Sequence, residues 1–102
     1  MTGLAPMHPG ELLREDIVPA LGRSVSELAG LLGVSRQSLH AVLAERSAVT
    51  PAMALRLGKL CGNGPAFWLN LQTRYDIAVL SEAMSAELAK VPTLQEPALD
   101  AA

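Results

Sequence analysis

Val25-Ser-Glu-Leu-Ala29-Gly-Leu-Leu-Gly33-Val-Ser-Arg-Gln-Ser-Leu39-His-Ala-Val42, in a chain of 102 residues, has the pattern of two short helices and the turn between them. Two helices joined by a tight turn cross at close range, so the first needs a small residue at the crossing, and Ala29 fits. The turn needs a position tolerant of positive φ, and Gly33, four residues on, provides it. Leu39 and Val42 lie three apart on one face of the second helix and pin it to the first. These offsets predict a helix-turn-helix over residues 25–46. The outer side of its second helix then carries Arg36, Gln37, His40 and Ala41, toward the end that such a motif presents to base edges in the major groove. An arginine there suits bidentate hydrogen bonding to guanine, and a glutamine suits adenine. Ser24, Ser26, Ser35 and Ser38 set short hydroxyls near helix N-termini, where backbone N–H groups and the helix dipole favour phosphate. Arg46 and Ser47, in the loop after the helix, are the remaining expected phosphate contacts. Taken singly, each of these residues reads equally as a cap or as solvated surface; the turn gives them a common purpose.

Toward the N-terminus, Pro9 suits a first helical turn, where its missing N–H would have no partner in any case. His8 is expected at that helix boundary rather than in catalysis. Leu12, Leu13, Ile17, Val18 and Leu21 recur at helical spacing up to a C-capping Gly22, and Pro19 is expected to kink or end this helix a residue or so early. Ser24 and Glu27 form a capping box for a second helix with Leu28, Leu31 and Leu32 apolar. Ser35 caps a third over residues 36–45, packed through Leu39, Val42 and Leu43. Thr50-Pro51 opens a fourth, carrying Met53, Leu55, Leu57 and Leu60. Gly62-Asn63-Gly64-Pro65 breaks the chain. A fifth helix begins near Pro65 with Phe67, Trp68, Leu71, Tyr75 and Ile77, and continues or restarts to about Lys90. The expectation is therefore an all-α, compact five-helix bundle over residues 8–90. A frayed N-terminus (1–7) and a disordered tail (91–102) would flank it.

Composition agrees with this and narrows the function. Half of the residues are hydrophobic and only Phe67, Trp68 and Tyr75 are aromatic, a balance that favours helices over strands. The single cysteine, Cys61, permits no intrachain disulfide and no zinc cluster. It reads as a small core residue. No apolar run approaches the ~20 residues needed to span a bilayer, and no signal peptide is visible, so the expected setting is the cytoplasm, with no membrane partner. His8 and His40 have no ligand-spaced companions, and neither a phosphate-binding glycine loop nor a nucleophile–base pattern occurs. The chain is not expected to be an enzyme or to need a cofactor or metal. The net charge of −2 is unevenly spread: residues 23–59 hold five basic against two acidic side chains, the remainder three against eight. The middle stretch can face phosphate while the flanks cannot.

The Pro65-Ala-Phe-Trp-Leu-Asn-Leu-Gln72-Thr-Arg74-Tyr75-Asp76 stretch admits two readings. Phe67, Trp68 and Leu71 match a core helix, packing being the favoured role of Phe67. Trp68, Leu71 and Tyr75 also suit a homodimer seam, since the rings of Trp and Tyr carry polar handles and DNA sites for such proteins are commonly two-fold.

Four groups of residues together resemble the HigA-type antitoxins of type II toxin–antitoxin modules, a branch of the XRE-like, lambda-repressor-like helix-turn-helix proteins. They are His8-Pro-Gly-Glu11, Leu32-Gly-Val-Ser-Arg-Gln37, Thr50-x-x-Met-Ala-Leu-Arg-Leu57, and Phe67-Trp-Leu-Asn-Leu-Gln72 with Tyr75-Asp76. The resemblance covers roughly residues 7–75, and the last run narrows it to this branch. It implies about five helices, dimerisation through the C-terminal helices and repression of the protein's own operon at palindromic double-stranded operator DNA. It also implies binding of a HigB-type toxin, a RelE-like mRNA-cleaving ribonuclease. Arg36 and Gln37 map to the base-reading start of the recognition helix. A departure lies just beyond: relatives usually carry Asn-Gly after that helix, where this chain has Ala44-Glu-Arg-Ser47, and Glu45 would meet phosphate unfavourably.

Overall fold

A computed structural model describes residues 6–94; the expectations for residues 1–5 and 95–102 lie outside it. The described residues are all-helical apart from turns and short irregular stretches, with no strand among them. The first helix, α1, runs over residues 9–21, as the apolar spacing predicts. Its His8 cap accepts the Gly10 N–H at Nδ1, 2.9 Å away. Pro19 does not end it. Instead Leu13–Ile17 forms a π-turn between Pro9–Leu12 and Val18–Leu21, and the Val18 N–H donates to the carbonyl of Leu13, five residues back. A proline leaves the carbonyl four residues earlier without a donor and crowds it. Widening the turn just ahead of Pro19 lets the helix reach Gly22, which ends it at φ 62°.

Helix α2 (Val25–Leu32) has the predicted capping box, with Ser24 Oγ accepting the Glu27 N–H and Glu27 accepting the Ser24 N–H. It ends in a Schellman turn at Gly33, φ 74°, where the N–H groups of Gly33 and Val34 donate to Gly30 and Ala29. Helix α3 (Arg36–Leu43) starts on the Ser35 cap and stops two residues before the predicted Glu45. Glu45 itself adopts φ 63°, the left-handed region, and the N–H groups of Glu45 and Arg46 donate back to Val42 and Ala41. This is the same closing turn, made without a glycine. Helices α4 (Pro51–Cys61) and α5 (Pro65–Ala83) follow, then a short α6 (Ser85–Ala89) after a break at Met84.

The core gathers Leu13 from α1, Leu28, Ala29 and Leu32 from α2, and Leu39, Val42 and Leu43 from α3. Val49, then Met53, Ala54 and Leu57 from α4, and Trp68 from α5 complete it. Two glycines allow the closest approaches. A Cβ at Gly10 would run into the Val42 carbonyl, so α1 meets the recognition helix backbone to backbone. A Cβ at Gly58 would overlap the Gly64 backbone, where α4 turns into α5.

Several apolar assignments need correction, Leu21 and Ile77 being exposed as well as those below. Leu31 is 58% and Leu55 61% exposed, because the inward stripes are Leu28, Ala29 and Leu32 on α2 and Met53, Ala54, Leu57 and Gly58 on α4. At 100° per residue, Leu31 and Leu55 fall off those faces. Phe67 is 44% exposed rather than core, since its neighbour Trp68 takes the inward position. Cys61 is half-buried, packed against the edge of the core.

Candidate nucleic-acid interface

The N-cap of α3 faces solvent, and the helix carries its first turn outward. Arg36, Gln37 and His40 are exposed, Ala41 is half-buried beside them, and Arg46 and Ser47 follow on the Schellman turn. Arg36, Gln37, His40 and Arg46 line one concave surface of about 250 Å³. The two ends of the predicted reading surface are thus brought together, because the left-handed turn at Glu45 folds Arg46 back beside the helix.

The electrostatics of this surface favour an anion. Among the described residues neither Arg36 nor Arg46 is paired with an acid. The one carboxylate in the loop, Glu45, accepts from Arg14 Nη1 at 3.2 Å. The repulsion expected of Glu45 is therefore partly countered from α1. Arg14 also holds Glu15, at 2.9 Å, and the two carboxylates raise the pKa of its guanidinium.

The serines divide. Ser35 Oγ accepts the Ser38 N–H at 3.0 Å and donates to Ser38 Oγ at 2.8 Å, so its hydrogen-bonding capacity is turned inward. Ser38 keeps its own hydroxyl proton for an outside acceptor. Ser24 accepts the Glu27 N–H and likewise keeps its proton. Ser26 is exposed in the first turn of α2.

The residues expected at a dimer seam are placed differently. Trp68 is fully buried within the chain, its indole N–H donating to Asn63 Oδ1 at 3.0 Å. It is a core residue and presents no surface to a second chain, because its polar handle is satisfied by the preceding loop. Leu71 is half-buried, and so is Tyr75, which meets His8 edge to face at 4.9 Å. The exposed apolar surface lies farther along. Ile77, Leu80, Met84 and Leu88 recur at helical spacing and, with Thr73, Asp76 and Ser81, line a groove of about 240 Å³. Across the helix, Tyr75, Ala78, Val79, Glu82 and Ala83 line another with Pro6.

Sequence reasoning missed Gln72. It is buried, accepting the Val49 N–H at Oε1 (2.8 Å) and donating to Asp76 Oδ1 (2.9 Å), which ties the loop beyond Ser47 to α5. Its position four residues after Trp68 was the available signal: a polar side chain on an inward stripe needs buried partners.

No protein-family model matches the chain. Antitoxin HigA-1 of Vibrio cholerae is 32% identical over 72 residues, 71% of this chain and 68% of that protein. Among solved structures, antitoxin GraA in complex with its operator is 38% identical with a TM-score of 0.84, covering 94% of this chain and 98% of that one. Pseudomonas aeruginosa antitoxin HigA with the higBA promoter is 31% identical with a TM-score of 0.82, covering 87% and 98%. At these identities, over nearly the whole of the solved chains and with the helix-turn-helix in place, the chain belongs to the HigA-type antitoxins of the XRE-like helix-turn-helix superfamily.

Proposed function

We propose that this protein is a homodimeric autorepressor that binds palindromic operator DNA through α3 and neutralises a cognate HigB-type, RelE-like toxin in the cytoplasm. The observation that carries the DNA reading is the concave surface on which Arg36, Gln37, His40 and Arg46 converge, with no neutralising acid among the described residues. In this reading Arg36 pairs with guanine and Gln37 with adenine, while His40 and Ala41 flank them. Ser24, Ser26, Ser38, Arg46 and Ser47 hold the phosphates, and Ser35 contributes mainly as a cap. Likeness to two antitoxins solved with operator or promoter DNA supports it.

The dimer reading rests on the far end of α5 and on α6 beyond it, whose apolar residues are exposed on two sides, a pattern that calls for covering. Ile77, Leu80, Met84 and Leu88 are the proposed contacts, with Leu71 and Tyr75 at the root of the helix. The toxin reading rests on family membership alone. No toxin-contacting residue is assigned.

A mobility-shift titration of the DNA upstream of the coding region, with and without the co-expressed product of the adjacent reading frame, tests the whole. Specific retardation that changes when the neighbour is present supports the antitoxin reading. Retardation indifferent to the neighbour would make the protein a stand-alone repressor, and absence of specific retardation would remove DNA reading altogether.

A further inference from the structure

A Schellman turn satisfies the carbonyls two and three residues inside a helix end and leaves the last ones open. Both helices of the helix-turn-helix end this way. In α2 the carbonyls of Leu31, Leu32 and Gly33 are left, and Arg56 Nη1, from α4, donates to those of Leu32 and Gly33 at 2.6 and 3.3 Å. In α3 the carbonyls of Leu43 and Ala44 are left, and Arg14 Nη1, from α1, donates to that of Leu43 at 2.7 Å. Neither helix has a lysine or arginine in its own last turn; α2 has no basic residue there and α3 only His40. Each therefore borrows a cation from a flanking helix at the negative end of its dipole, where a positive charge is favoured. The two contacts fix complementary things. Arg56 holds the turn from which α3 departs, and Arg14 holds its far end together with the left-handed Glu45.

We propose that Arg14 and Arg56 are positioning residues for base reading: they set the angle at which α3 is presented and do not bind phosphate themselves. This rests on the DNA reading above. It also changes the sense of the sequence charge, because Arg56, one of the five basic residues of the middle stretch, has a guanidinium nitrogen directed at backbone carbonyls. A cation that orients the reading helix affects the choice between sequences. One that neutralises a phosphate affects all sequences alike and contributes to the salt dependence.

The test compares the full-length wild type, Arg14→Met, Arg56→Met and Arg56→Lys on operator and scrambled duplexes over a range of salt, well below each variant's melting temperature. The Met variants are expected to lose about tenfold of the operator-over-scrambled preference, the factor that about 1.4 kcal/mol makes. Their slope of log affinity against log salt on scrambled DNA should match wild type. Arg56→Lys, which keeps a charged donor, should recover most of the preference. A slope lower by about one, with equal losses on both duplexes, would identify these arginines as phosphate contacts and overturn the proposal. Unchanged preference would overturn it as well. Amide exchange without DNA separates this from failure of the DNA reading. If the wild type itself does not prefer the operator, DNA reading fails, and the clamp stands only if Val34 exchanges faster in Arg56→Met, and Glu45 and Arg46 faster in Arg14→Met. Unchanged protection would remove the clamp too.

Discussion

Arg36 and Gln37 stand at the first exposed positions of α3, and their replacement tests base reading residue by residue. Each change to Ala is expected to cost ~1–3 kcal/mol at its cognate base pair and to relax specificity there, measured by titrating operators substituted at single positions. Gln72 makes a different test. Replacing it with Leu keeps the size but leaves the buried Val49 N–H without an acceptor, at a cost of ~1–3 kcal/mol. Urea unfolding should show a lower midpoint at an unchanged m-value. At this scale the sequence was most legible where a residue acts on its near neighbours: His8, Ser24, Ser35 and Thr50 all cap as their spacing indicates. It was least legible where a side chain reaches across the fold. The Arg14–Leu43 bond spans 29 residues and the Arg56–Leu32 bond 24, and no local pattern announces either. Trp68 shows a third situation. Its polar handle fits both an interface and a core, and only the position of Asn63 decides between them.

Helices were legible from their caps and breakers, while their ends and faces were partly hidden. Pro19 reads as a stop, yet the π-turn before it absorbs the missing hydrogen bond and α1 goes on to Gly22. Glu45 reads as helix, yet it adopts φ 63°, a left-handed conformation that favours glycine or asparagine. The close contact of α1 with α3 has a sharp consequence. Gly10→Ala would drive a methyl group into the Val42 carbonyl, so destabilisation of ~1–3 kcal/mol or more is expected, visible as a lowered melting temperature. Helix α4 ends at Cys61, where partial burial pushes the thiol pKa up. A raised thiol pKa means less thiolate at neutral pH, so alkylation should be slower in the folded chain than in urea; equal rates would contradict the packing described for Cys61.

The whole molecule joins a compact helix-turn-helix body to a projecting α5 whose apolar residues point to more than one side. The body follows from patterning, because every buried residue meets others of the same chain. The purpose of the exposed apolar end does not, since nothing among the described residues covers it. Leu80→Asp, in the middle of the exposed stripe, should convert a dimer to a monomer in sedimentation equilibrium while leaving helix content intact. In the dimer the two recognition helices should sit about 34 Å apart, one turn of duplex. Operator reading by α3, through Arg36 and Gln37 with Arg46 beside them, is tested most directly by operator and scrambled-duplex affinities measured at several salt concentrations. Log affinity should fall linearly with log salt on both duplexes, with a preference for the operator that Arg36→Ala diminishes. Binding that ignores salt, or a preference that survives the loss of both Arg36 and Gln37, would contradict it.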